Sequence, residues 1–298
     1  MVMEYALFLG CQIPARLSQY ESSARAVLKQ LGIGWVDIRE FNCCGYPLRN
    51  IDFKMFLLFS ARNLALAERR GLNVMTLCMC CYGSLKKADF LMKENASLKK
   101  EVNRTLEKEG LRYEGGIEVK HYLPVLYREV GLTSLREKVK KSFRGIKIAT
   151  HYGCHALRPS QIVRFDDAVS PSLFDQLVEV TGAESIAWPM KLECCGAPLW
   201  GIHDELSADL TLKKLKNGRE SGADYLCTAC PYCQIQFDTV QEMILSQRGL
   251  NRPLPSILYP QLLGLSMGID SETLGLKMNK IPISEIEQLQ AEQTEIPA

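Results

Sequence analysis

The chain has 298 residues and a formal charge of +2, from 36 basic and 34 acidic side chains. Apolar residues make up 47% and charged residues 23%, which excludes a disordered or low-complexity chain, and the near-neutral balance leaves no basic footprint for nucleic acid. The length predicts two domains at roughly 150 residues each, and the outlying number is cysteine, with 12 residues.

The N-terminal run has no basic leader, and its apolar stretch from Tyr5 to Leu9 is too short for a secretory core. It reads as a first strand that ends at Gly10 and Cys11. Leu17, Tyr20, Ala24, Val27, Leu28 and Leu31 then recur at helical spacing until Gly32 stops them. Trp35 to Ile38 is a strand candidate that leads to Cys43-Cys44-Gly45-Tyr46-Pro47-Leu48. Phe53 to Arg70 is helical, and Val74 to Leu77 is a strand that delivers Cys78-x-x-Cys81. The most apolar window, Met55 to Ala67, contains Arg62 and Asn63, so no membrane span is expected. Lys86 to Tyr113 reads as an inserted helix whose charges form a solvated face.

The same order then returns. Ile146 to Thr150 leads into Gly153-Cys154, Leu173 to Val180 is helical, and Ser185 to Trp188 leads towards Cys194-Cys195-Gly196-Ala197-Pro198-Leu199. His203 to Gly218 is helical, and Tyr225 and Leu226 run into Cys227 and Cys230-x-x-Cys233. The three Cys elements of the two halves lie 143, 151 and 152 residues apart, which marks an internal duplication. The expected domains are residues 1–144, with the charged helix inserted, and 145–270. A polar tail, 271–298, carries Glu285, Glu287 and Glu292 and reads as a loose terminus or a docking segment. Strands alternating with helices imply an α/β fold with parallel sheets, whose ligands gather beyond the carboxyl ends of the strands. All six Cys elements fall at such ends.

A leaderless chain without a span is expected in the cytoplasm, where thiols stay reduced and clustered Cys means metal or redox chemistry. Each half offers five thiols: Cys11, Cys43, Cys44, Cys78 and Cys81, then Cys154, Cys194, Cys195, Cys230 and Cys233. Structural zinc takes four ligands, and vicinal Cys residues seldom share one small ion, so the pattern favours iron–sulfur clusters over zinc sites or a metal-free dithiol. The glycine after each vicinal pair is expected to remove a Cβ where backbone nears the cluster. Cys80 aligns with Tyr232 and Cys227 with Met75; both Cys read as bystanders, with a redox or alternate-ligand role as the other reading. His155 and His151 are the candidate proton donors or, equally, packed groups. His203 reads as a cap or surface residue and His121 as structural. Arg49, Arg158 and Lys191 are expected in surface ion pairs, or against an anionic substrate tail.

At these ten Cys positions, over residues 5 to 265, the sequence resembles the CCG-domain (cysteine-rich) family, which carries an isolated Cys, Cys-Cys-Gly and Cys-x-x-Cys, given twice. In size and layout it is similar to the B subunit of heterodisulfide reductase. The resemblance implies two pseudo-twofold-related Rossmann-like domains. It also implies that each Cys quintet holds a noncubane [4Fe-4S] cluster, with a disulfide substrate reduced or formed between them. The chain contains neither a ferredoxin-type Cys run nor a Gly-x-Gly-x-x-Gly fingerprint, so no flavin or NAD is expected in it. The family implies electrons from a ferredoxin-like C subunit, together with a flavin-containing A subunit, in methanogenesis or sulfur metabolism. The alternatives are an electron-transfer CCG subunit of a succinate-, glycolate- or lactate-type oxidoreductase, and a zinc-stabilised interaction protein.

Overall fold

The structure is a computed structural model that describes residues 3–283 and 286. Two four-stranded parallel sheets follow one another along the chain. The first comprises β1 (Glu4–Phe8), β2 (Gly34–Val36), β3 (Asn73–Thr76) and β4 (Val119–His121), in the spatial order β2-β1-β3-β4. The second comprises β5 (Lys147–His151), β6 (Glu184–Ser185), β7 (Tyr225–Thr228) and β8 (Ser256–Leu258), in the order β6-β5-β7-β8. The register repeats too: Tyr5 pairs with Asn73 as Ile148 pairs with Tyr225.

Helices connect these strands as parallel topology requires. The first half uses α1 (Ser18–Gln30), α2 (Phe53–Arg69), α3 (Met79–Glu94) and α4 (Ala96–Leu106). The second uses α5 (Leu173–Val180), α6 (Asp204–Glu220), α7 (Pro231–Ile235) and α8 (Tyr259–Ser266). The side chain of Asp52 accepts from the Met55 N–H and that of Asn95 from the Leu98 N–H, capping α2 and α4. Each such cap contributes about 1 kcal/mol. His203 caps α6 in the same way.

Three expectations change in detail. The strand expected at Ser185 to Trp188 shrinks to two residues, because Trp188 turns its indole N–H onto the Thr150 carbonyl instead of continuing the ladder. The charged helix is not a single helix. Its first part belongs to α3, which starts just after Cys78, and Asn95 breaks the run before α4. The tail is packed as far as it is described. Leu274, Leu276 and Ile283 are buried, and Asp238 accepts from the Lys280 and Ile281 N–H groups. Glu285, Glu287 and Glu292 lie outside the described residues.

One continuous hydrophobic core takes side chains from both halves. The helix that follows β8, α8, packs on α1 of the first half. Tyr82 on α3 donates its hydroxyl hydrogen to the Val163 carbonyl at 2.5 Å, tying the first half to the second. The carboxyl ends of the two sheets are thereby brought against each other.

His121 ends β4 inside this junction, fully buried between Tyr82 and Phe165. Its Nδ1 accepts from the Leu123 N–H, and burial pulls the imidazole down to about 4. It is therefore neutral in the folded chain near neutrality. An unfolded histidine binds its proton near 6.5, so the unfolded state binds more protons below that pH. Stability should fall as the pH drops from about 6.5 towards 4, by about 2 kcal/mol between pH 7 and pH 5. His121→Asn keeps an acceptor for Leu123 and should flatten that dependence in urea unfolding curves. An equal slope in both proteins would refute this role for His121.

Candidate metal centre at the facing sheet edges

The loops after β1 and β3 leave their sheet in opposite directions, and the crevice between them is the natural ligand site of such a sheet. Cys11 follows β1 and Cys78 follows β3. In the second sheet Cys154 follows β5 and Cys230 follows β7. Topology thus brings the first and third Cys elements of each half together. The vicinal pair enters from the side, on the turn before α2 or α6.

Cys78 stands at the N-cap of α3, and its sulfur accepts from the Cys81 N–H at 3.4 Å. Cys230 stands at the N-cap of α7, ahead of Pro231. Helix N-termini favour thiolate over thiol. The vicinal pairs are held from behind. Ser60 donates to the Cys44 carbonyl at 2.6 Å, and Thr211 donates to the Cys195 carbonyl at 3.2 Å. The buried Lys214 ammonium donates to the Met190 and Glu193 carbonyls just upstream of the second pair.

Gly45 and Gly196 do not serve as expected. Both have left-handed φ, +82° and +92°, and a Cβ on either would lie 2.8 Å from a helix carbonyl, that of Phe56 or Ser207. They let the turn approach the supporting helix, not the metal. The glycine that makes room for sulfur is Gly10, where a Cβ would sit 2.8 Å from Cys81 Sγ.

The result is two pits. Cys11, Cys43, Cys44, Cys78 and Cys81 line the first. Cys154, Cys194, Cys195, Cys230 and Cys233 line the second. All ten predicted donors therefore converge, five to a pit, and all twelve cysteines of the chain are free thiols. The pits adjoin: the sulfurs of Cys78, Cys80 and Cys230 lie within 4.8 Å of one another. Cys195 and Cys233 approach to 3.6 Å.

So many thiols cannot ionise together. Hydrogen bonding to Cys44 and Cys78, reinforced by burial, pushes Cys81 well up. Cys195 and Cys230 do the same to Cys233. Cys194 goes down instead, because Cys154 and Cys195 donate to it. A polynuclear cation relieves this crowding, since a metal-bound thiol is deprotonated outright. Five soft donors around each pit exceed a tetrahedral zinc set and fit an iron–sulfur cluster.

The two histidines part company. His151 is buried at the end of β5 with Nε2 3.2 Å from Cys233 Sγ, against a candidate ligand. His155 shares a hydrogen bond of 3.1 Å between its Nε2 and the Tyr46 hydroxyl, across the seam between the halves. Sequence reasoning misses Tyr46 because its repeat mate is Ala197, although its place beside Cys44 and Pro47 is a signal. Tyr232 packs 6.0 Å from the Tyr46 ring and lines both pits. The Arg49 guanidinium stacks on Tyr46, 5.2 Å from the ring centroid, while Lys191 pairs with Asp175. Cys227 lies inside β7 between β5 and β8, fully buried and away from either pit. Cys80 lines the second pit, although it belongs to the first half.

Comparison with known proteins agrees with this arrangement. The cysteine-rich domain (CCG) family matches residues 5–86 and 148–238. The chain is 35% identical to the B subunit of the ferredoxin/F420H2-dependent CoB-CoM heterodisulfide reductase of Methanosarcina acetivorans, over 93% of each chain. It is 36% identical to a heterodisulfide reductase B-subunit-like protein of Archaeoglobus profundus, over 91% of this chain and 93% of that one. It is 33% identical to the 8-methylmenaquinol:fumarate reductase membrane anchor subunit of Wolinella succinogenes, over 96% of this chain and all of that one. No helix among the described residues is long and apolar enough to cross a membrane. Among solved structures, a hypothetical protein from Helicobacter pylori superposes with a TM-score of 0.74 at 19% identity, covering 94% of this chain and 52% of its own, a likeness of fold. With two matching domains and relatives of this identity along nearly its whole length, the chain belongs to the family of cysteine-rich CCG-domain proteins that includes the B subunit of heterodisulfide reductase.

Proposed function

We propose that this chain is the catalytic iron–sulfur subunit of a heterodisulfide reductase-like complex, reducing or forming a disulfide held between two noncubane four-iron clusters. The observation that carries the reading is the convergence of two five-thiol pits, whose nearest sulfurs lie within 4.8 Å across the seam. Cys11, Cys43, Cys44, Cys78 and Cys81 would hold one cluster, and Cys154, Cys194, Cys195, Cys230 and Cys233 the other. When bound, such clusters supply single electrons and iron that accepts a thiolate. Breaking a disulfide needs two electrons and leaves two thiolates, so one donor beside each sulfur suits the chemistry.

The chain's own residues then bind, orient and protonate. Tyr46 and His155 share a hydrogen bond at the seam, so the Tyr46 hydroxyl is placed to protonate a product thiolate and to be recharged from His155. Arg49, stacked on Tyr46, brings positive charge to an anionic substrate tail. Met79, Tyr152 and Pro198 wall the second pit with apolar surface that excludes water. His151, buried against Cys233, holds that thiol in place and is the lesser candidate for proton transfer. Electrons would come from a ferredoxin-like C subunit, with a flavin-containing A subunit of the same complex, in the cytoplasm. The exposed Ile51, Phe53 and Met55, which follow the first vicinal pair in the chain, suit such a protein partner.

A second reading is electron relay without disulfide chemistry, and the similarity to a fumarate reductase subunit favours it. An added thiol separates the two. Thiol given to oxidised protein should produce a new paramagnetic signal if a substrate sulfur binds, and none if the chain only relays electrons.

Anaerobically purified protein should carry about eight iron atoms per chain and lose about half of them in Cys44→Ser or in Cys195→Ser. A colourless chain with stoichiometric zinc would instead support an interaction protein. His155→Gln should lower the disulfide reduction rate by about 100-fold with iron content unchanged, and Tyr46→Phe should act in the same direction. Wild-type rates in both variants would remove the pair from the mechanism.

A further inference from the structure

Cys80 breaks the twofold relation between the sites. It occupies an interior position of Cys78-x-x-Cys81, on the first turn of α3, and its repeat mate on α7 is Tyr232. Each of these two side chains reaches across the seam. Tyr232 lines the first pit although it belongs to the second half. Cys80 belongs to the first half, does not line the first pit, and lines the second beside Cys154, Cys194, Cys195, Cys230 and Cys233. It is 5% exposed, and its sulfur lies within 4.8 Å of both Cys78 Sγ and Cys230 Sγ. The first site thus has five thiols and the second six, while Tyr232 lines both.

Resting on the reading that both pits hold iron–sulfur clusters, we propose that Cys80 is an exchangeable sixth sulfur donor of the second site. It occupies in the resting protein the coordination position that an incoming thiolate takes. A phenol binds iron less readily than a thiolate and cannot play this part for the first site. The sites are then unequal. Sulfur enters the first freely and the second only by displacing Cys80. The exchange moves no electrons. The incoming thiol gives its proton to the departing Cys80 sulfur, one iron–sulfur bond breaks and one forms. The x position of the motif thus acts as a gate that orders where the two sulfurs of a substrate bind.

The test uses the whole chain purified anaerobically: wild type, Cys80→Ala and Cys80→Ser, with Cys227→Ala as the control thiol. Iron per chain and paramagnetic spectra are recorded while oxidised protein is titrated with 2-mercaptoethanol. Cys80→Ala should keep its iron, show an altered spectrum for one of two clusters before any thiol is added, and reach half-saturation of that cluster at about tenfold lower thiol. That is the scale expected when an internal competitor of millimolar effective concentration is removed. Cys80→Ser, whose oxygen can still reach the metal, should fall between Cys80→Ala and wild type, and Cys227→Ala should match wild type. Spectra and titrations equal to wild type in both Cys80 variants would overturn the proposal while leaving the cluster reading intact. Loss of iron from both would overturn it too, since a donor that the site cannot lose is not one that yields. Wild type without iron would overturn the cluster reading itself, and this proposal with it.

Discussion

Eleven cysteine sulfurs crowd the seam between two parallel sheets, and the rest of the molecule holds them there. Thiols this close raise one another's cost of ionisation, as Cys81 and Cys233 register, while Cys44 and Cys194 are drawn down as acceptors of their neighbours' protons. Only a multiply charged metal assembly turns such crowding into attraction. A core continuous across both halves, and backbone carbonyls pinned behind each vicinal pair, hold the sulfurs in place.

The duplication explains why the seam is a site at all. Each sheet alone offers a crevice at the carboxyl ends of its two central strands. Packing α8 on α1, and docking Tyr82 on Val163, turns two separate crevices into facing ones. Symmetry fails at Tyr46 and Ala197, at Cys80 and Tyr232, and at His155 and Gln12. Tyr46, Gln12, Cys80, His155 and Tyr232 each line one pit or both, so the two pits differ in their walls.

The glycines show how support and chemistry divide. A Cys-Cys-Gly run suggests a backbone that nears the metal. In fact Gly45 and Gly196 press against the carbonyls of their supporting helices, and the close approach to sulfur falls to Gly10. Both functions need a missing Cβ, so residue type alone does not separate them.

Read as a string, the chain already disclosed its repeat, the first three strands of each half with the helices between them, and the ten cysteines that converge. These rest on local periodicity and short spacings, which one strand or one turn imposes. Cys78 and Cys230 fall at helix starts because Cys-x-x-Cys follows a strand, and that is visible locally. What needed the folded chain was every relation between residues distant in sequence. Tyr46 meets His155 across 109 positions. Cys80 lines the pit of the opposite half. The described residues after Asp270 pack on Gln19 and Asp238 although their composition reads as solvent-exposed. Such contacts are decided by how two cores dock, through surface shape and burial summed over both halves, and no spacing along the chain encodes that sum.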